Sequence, residues 1–199
     1  MVVYKSIIAI LNIVINSKQG RCMTKIAVLV GSLRADSINK RLAEELEGLL
    51  PDGTTFEYAD LNLPLFNQDL EADYPAEAKA VKELVEGADG VLFVTPEHNR
   101  SFPAALKNAI DWASRPWGTN SFDGKPAAIV GASSSLATTQ AQQQLRNVAI
   151  YLNTHLLGQP EMYIDVNRVH DEEGKLTPEA IEMYQNFLNT FTAHIAKLK

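Results

Sequence analysis

The segment Gly31-Ser32-Leu33-Arg34-Ala35-Asp36-Ser37-Ile38-Asn39 places two hydroxyls, a guanidinium and a side-chain amide within eight residues, Ser32 to Asn39. It follows the apolar run Ile26–Val30 and precedes a helix-like stretch. A phosphate monoester is nearly a dianion at neutral pH, and holding one takes several donors converging on a point. A helix start adds free backbone N–H groups and a partial positive charge. Ser32, Arg34, Ser37 and Asn39 supply the side-chain donors. Asp36 opposes this chemistry unless it turns to solvent. The plainer reading is a strand-to-helix turn with Asp36 or Ser37 as its cap.

A second loop, Pro96-Glu97-His98-Asn99, follows the apolar run Val91–Thr95. It is short and stiffened by proline. Its backbone amides suit the polar edge of a flat aromatic cofactor, and the His98 ring suits its plane. An exposed loop histidine, and a solvated Glu97 or a Glu97–Lys107 pair, are the plainer alternatives. A third loop, Gly131-Ala132-Ser133-Ser134-Ser135, is built of small residues that let a flat ring approach the backbone. A serine-rich turn without a ligand is its plainer reading. The first two loops together point to a flavin mononucleotide (FMN) site and so to redox chemistry.

Other chemistries lack their residues. The dinucleotide fingerprint needs three glycines where this loop has one, and the P-loop's Gly-Lys-Ser/Thr ending is missing. The four histidines, His98, His155, His170 and His194, show no ligand spacing with one another or with Cys22, so no metal site is expected. There is no Gly-x-Ser-x-Gly elbow. No acid–base set stands out either, which fits an enzyme whose cofactor carries the chemistry. Trp112 reads as a core aromatic. Trp117, beside Pro116 and Gly118, is harder to bury and reads as a subunit contact.

The elements that must hold these loops alternate. Strand-like runs at Lys25–Val30, Thr54–Ala59, Gly90–Thr95, Pro126–Gly131 and Glu161–Ile164 alternate with helix-like segments at Ser37–Leu50, Ala76–Ala88, Phe102–Ser114, Thr138–Leu152 and Pro178–Lys197. Leu61–Leu70 reads as a loop. This alternation predicts an α/β fold, a doubly wound five-stranded parallel sheet with helices on both faces. Five strands favour the flavodoxin-like order 2-1-3-4-5. The two unusual loops then sit at the switch point between strands one and three, where such sheets bind ligands.

The 199 residues are enough for one domain, with 46% hydrophobic and 21% charged residues. A net charge of −6 argues against nucleic acid as a partner. The single cysteine excludes an intrachain disulfide and points to the cytoplasm. Residues 1–22 read as an N-terminal extension outside the fold, and 23–199 as the folded domain. The apolar stretch Ser6–Ile15 is too short to span a membrane, and no small-x-small cleavage site follows it. Met23-Thr24-Lys25-Ile26 looks like a natural start, with the extension an upstream start or an added segment.

Gly-Ser-Leu-Arg-x-x-Ser-x-Asn at 31–39, Thr-Pro-Glu-x-Asn-x-Ser-x-Pro at 95–103 and Leu-Lys-Asn-Ala-Ile-Asp-Trp at 106–112 resemble the NAD(P)H-dependent FMN reductase family. Its members include soluble quinone, chromate and azo-dye reductases, and the resemblance covers about Lys25 to Lys199. It implies a flavodoxin-like fold and FMN bound without a covalent bond. By position, Ser32, Arg34, Ser37 and Asn39 would hold the FMN phosphate, helped by the amides from Leu33 through Ile38 to Asn39. Pro96, Glu97, His98 and Asn99 would line the isoalloxazine ring, and Ser133 would close the third side.

The resemblance also implies dimers or tetramers with each flavin near an interface. NADPH or NADH would be the co-substrate, and a small molecule, a quinone first, the acceptor. A flavodoxin-type electron carrier without its own reductase activity is the alternative, and a flavin-free interaction module a more distant one. Two features depart from the family. His98 stands where tyrosine is usual, and the third loop lacks the glycine often found near Ser135.

Overall fold

The computed structural model describes residues 23–134 and 137–199. The extension, Ser135 of the third loop and Leu136 after it lie outside them. In chain order the elements are β1 (Thr24–Val30), α1 (Ile38–Glu47), β2 (Thr54–Tyr58), α2 (Ala76–Gly87), β3 (Gly90–Val94), α3 (Ala104–Ala113), β4 (Pro126–Ser133), α4 (Thr139–Tyr151), β5 (His155–Leu156), β6 (Met162–Asp165), α5 (Val166–Val169) and α6 (Pro178–Leu198).

The sheet is parallel, with the order β2-β1-β3-β4 and both β5 and β6 beside β4. This is the flavodoxin-like order expected from the alternation. The expected fifth strand is β6, one residue further along the chain. The two-residue β5 is an addition: it pairs Pro126 with His155 and Ala127 with Leu156 before the chain turns into β6. The one-turn helix α5 and a 3-10 turn over Gln68–Asp73, at the end of the expected loop, are further additions.

Both sheet faces are covered, which explains why the inner strands β1, β3 and β4 carry unbroken apolar runs. Along β1, Ile26 and Val28 face one core while Ala27 and Leu29 face the other, all fully buried. The first core is closed by Leu42 and Leu46 of α1 and by Tyr184, Phe187, Phe191 and Ile195 of α6. The second is closed by Val81 and Val85 of α2, Leu106 and Ile110 of α3, and Leu145 of α4. Burying each such large apolar side chain stabilises the fold by about 1.5–3 kcal/mol. Trp112 is fully buried, its Nε1–H donating to the Pro64 carbonyl at 2.8 Å, as its place on the inner face of α3 requires.

The final rungs of the ladder bring the three loops together at the carboxyl ends of β1, β3 and β4. Gly31 N–H donates to Val94 O at 2.8 Å, and Thr95 N–H donates to Val130 O at 2.9 Å. Gly31 lacks a Cβ because one would stand 2.7 Å from the Pro103 ring at the start of α3. The first loop and the first turn of α3 can therefore meet closely.

On the other side of α1, His170 ties the chain after α5 to the helix through a 2.7 Å hydrogen bond from Nε2 to Glu45 Oε1. That bond, above all, raises the His170 pKa over its ordinary value. A raised histidine pKa stabilises the fold fully below the unfolded value of about 6.5, and the contribution is lost as pH rises through the folded value. Glu45→Gln should therefore destabilise more at about pH 5.5 than at about pH 8.5. Urea midpoints at the two pH values check this; an equal loss at both would remove the pair from the stability of the fold.

Candidate functional site

The first loop leaves β1 at Gly31 and enters α1 at Ile38. Ser37 is the cap: its backbone is extended and its Oγ accepts from Lys40 N–H at 3.2 Å. Capping uses the hydroxyl as an acceptor and leaves its proton available to a ligand. No acidic residue lies in the first turn of α1, so the positive end of the helix is not neutralised from within. Ser32 is half-buried, and its Oγ accepts from Arg34 N–H at 3.4 Å. Leu33 is exposed. Among the described residues the Arg34 guanidinium pairs with Asp36, 3.7 Å away, with both side chains largely in solvent. Such a pair is worth little, so the guanidinium is free to turn to an anion and Asp36 already sits on the solvent side.

A groove of about 490 Å³ runs beside Ser32, Leu33, Arg34 and Lys40 and is closed by Tyr58, Asp60 and Asn62. The residues following β2 reach the site because β2 is the neighbour of β1. Asp60 Oδ1 accepts from Asn62 N–H at 2.9 Å, which shapes that wall of the groove.

Asn39 does a different task from the others. It is 3% exposed. Its Nδ2 donates to Ala132 O at 3.0 Å, and its Oδ1 accepts from Ala132 N–H at 2.9 Å. This two-point bond ties α1 to the end of β4, one residue before Ser133.

The second loop is a tight turn. His98 and Ser101 exchange both backbone hydrogen bonds, at 2.8 and 2.9 Å, and the residues between them, Asn99 and Arg100, have φ of 52° and 66°. Two successive positive φ values are the signature of a type I′ turn. Pro96 and Glu97 are half-buried, while His98 and Asn99 are exposed at the mouth. The Glu97 carboxylate turns away from the mouth toward Arg100 and α4. Lys107 pairs with Asp111 one turn on, at 2.6 Å, and not with Glu97. Behind the loop Thr95, the first residue of the 95–103 motif, is fully buried.

The third loop starts at half-buried Ser133, the last residue of β4. Gly131 lies against the second loop: a Cβ there would stand 2.3 Å from Thr95 O and 2.4 Å from Thr138 Oγ1. The geometry therefore gathers Ser32, Arg34, Ser37, Ile38 and Asn39 at the start of α1, and Pro96 to Asn99 and Ser133 at the ends of β3 and β4. Hydroxyl, guanidinium and backbone N–H donors at a helix start, beside the ends of two neighbouring strands, are the chemistry that a phosphate joined to a flat ring calls for.

Such a site at the β1–β3 switch of a 2-1-3-4 sheet defines a flavodoxin-like mononucleotide-binding protein. The model of the NADPH-dependent FMN reductase family matches residues 24–167, and the chain belongs to that family. It is 48% identical over 176 residues to a 2-hydroxy-1,4-benzoquinone reductase from a Burkholderia species, covering 86% of this chain and 96% of that one. It is 37% identical over 166 residues to an NADPH:quinone oxidoreductase of Arabidopsis thaliana, covering 79% and 84%. Among solved structures it resembles FerB of Paracoccus denitrificans, a flavoenzyme NAD(P)H:acceptor oxidoreductase. The TM-score is 0.82, with 39% identity, 87% coverage of this chain and 98% of that one. The chain is thus an FMN-dependent oxidoreductase with NAD(P)H as co-substrate.

Proposed function

We propose that this protein carries two electrons from NADPH or NADH, through non-covalently bound FMN, to a quinone. The observation that carries the reading is the meeting of the first and second loops at the carboxyl ends of neighbouring strands β1 and β3. The quinone reductases among its relatives support the choice of acceptor. When bound, FMN supplies the chemistry of accepting a hydride from the nicotinamide and passing two electrons on.

The chain's own residues bind and orient. Ser32 and Ser37, the amides from Leu33 to Asn39 and the Arg34 guanidinium hold the phosphate. Asn39 fixes the distance from this cradle to Ser133 through Ala132. Pro96 to Asn99 and Ser133 flank the ring. The exposed mouth at His98 and Asn99 admits the nicotinamide and the acceptor in turn, and this open entry also suits chromate and azo acceptors. Steady-state NADPH consumption with 1,4-benzoquinone under argon tests the reading. Many turnovers per enzyme are expected; one turnover or fewer marks an electron carrier.

Arg34→Ala should weaken FMN binding by about 1.5–3 kcal/mol, the loss of a charged hydrogen bond. Fluorescence titration with FMN checks this, and an unchanged Kd would move the phosphate away from the first loop.

The same reading includes self-association as a dimer or tetramer, in the cytoplasm. No helix among the described residues is long and apolar enough to cross a membrane. Trp117, Ile150 and Tyr151 are 77%, 67% and 76% exposed. Trp117 and Tyr151 line a groove of about 500 Å³ with Arg115 and Asn120. Large aromatic side chains in that setting are typical interface anchors. Trp117→Ser combined with Tyr151→Ser should shift the mass seen by light scattering toward the monomer; an unchanged mass would place the interface elsewhere.

A further inference from the structure

The start of α4 is capped from outside its own segment. Its N-cap, Thr138, has a left-handed backbone (φ 62°) and makes no side-chain cap bond. The Thr138 hydroxyl accepts instead from Gln142 Nε2 at 3.0 Å. Two amides of the first turn go to Glu97, in the second loop: Gln140 N–H and Ala141 N–H both donate to its Oε2, at 3.0 and 3.2 Å. The other carboxylate oxygen lies 3.5 Å from Arg100 Nη1. The Glu97 side chain is only 11% exposed, whereas that of Arg100 is 66% exposed.

Gln144, one turn further along α4, completes the contact. Its Nε2 donates to Arg100 O at 2.7 Å, and its Oε1 accepts from Ser101 Oγ at 2.6 Å. The loop segment thus held contains Asn99 and Arg100, both in the left-handed region, a conformation that persists only where its surroundings impose it. A carboxylate on two amides at a helix start forms charge-assisted bonds favoured by the helix dipole.

We infer that Glu97 is a positioning residue of the flavin site. Seated on the N-terminus of α4, its carboxylate locks the 96–101 loop to the helix that follows the third loop, so the two walls of the ring slot keep one spacing. The carboxylate acts through backbone amides and does not touch the ring. The inference rests on the FMN reading of the slot. Glu97→Gln keeps an oxygen acceptor but loses the charge, and Glu97→Ala loses both.

The test is FMN affinity together with residue-resolved amide exchange on the full chain. In Glu97→Ala the FMN Kd should rise at least about tenfold, with Glu97→Gln between it and the parent. Exchange should quicken at Gln140, Ala141, His98 and Ser101, while Val91 to Val94 in the sheet stay as protected as before. An unchanged Kd, or faster exchange spread evenly through the sheet, overturns the inference.

If Glu97→Ala fails to fold, Gln144→Ala leaves the α4 cap intact and cuts only the ties to Arg100 and Ser101. It should raise the Kd and quicken exchange at His98 and Ser101, and no change in either overturns the clamp. A parent protein that does not bind FMN refutes the flavin reading itself, before any variant is compared.

Discussion

Asn39→Asp should destabilise the fold by about 3 kcal/mol and leave the protein unable to retain flavin. The two side chains have nearly the same shape, so the effect isolates the donor. In the native site the amide nitrogen donates to Ala132 O and the amide oxygen accepts from Ala132 N–H, both in a buried setting. An aspartate can keep the second bond, but it sets a carboxylate oxygen against the Ala132 carbonyl where the donor stood. A buried acceptor facing an acceptor, one of them charged, carries the full desolvation cost. The same charge lies at the start of α1, where it repels a phosphate. Protonation restores a donor, so the stability defect should shrink as pH falls. Urea denaturation across pH, with flavin content after gel filtration, checks both parts. A parent-like midpoint at neutral pH would mean that Asn39 does not bridge α1 to β4.

The second large effect is expected at Gly131→Ala. The added methyl would stand 2.3 Å from Thr95 O and 2.4 Å from Thr138 Oγ1. Neither neighbour is the loose end of a long side chain. Thr95 O is backbone immediately before the second loop, and Thr138 is the buried N-cap of α4. Relief therefore requires the second and third loops to part, at a cost of about 2–3 kcal/mol for an overpacked core. Because those loops form the walls of the slot, FMN affinity should fall along with stability. Gly87→Ala, where a Cβ meets open space, is the matched control. Thermal unfolding and FMN titration of both variants check the prediction, and a Gly131→Ala protein as stable as its control would refute the close approach.

The sequence carried the sheet because a strand covered on both faces leaves an unbroken apolar run, as Val91, Leu92, Phe93 and Val94 do. It carried Ser37 as one of two candidate caps because a cap acts on its own neighbours, and the structure selects it over Asp36. It carried Trp112 as a core residue through helical spacing. β5 was not legible: two residues, one of them an exposed histidine, form no pattern.

The long-range polar contacts were equally silent. Asn39 was visible as an amide in the right loop, but its partner Ala132 is 93 residues away and takes part through its backbone, which any residue supplies. The sequence offers Glu97 as a ring-lining residue, a solvated carboxylate or a partner of Lys107, and not as a helix cap, because the chain does not announce that α4 lacks a cap of its own. That deficit goes with the left-handed backbone at Ala137 and Thr138, which local residue preferences do not encode.

The most direct test is the absorbance spectrum of the full chain after incubation with FMN and desalting, followed by anaerobic NADPH and then 1,4-benzoquinone. A retained flavin spectrum that bleaches quickly with NADPH and returns with the quinone is the expected result. A protein that retains no flavin, or retains it and bleaches with neither NADPH nor NADH, would contradict an NAD(P)H-dependent FMN reductase working through this site.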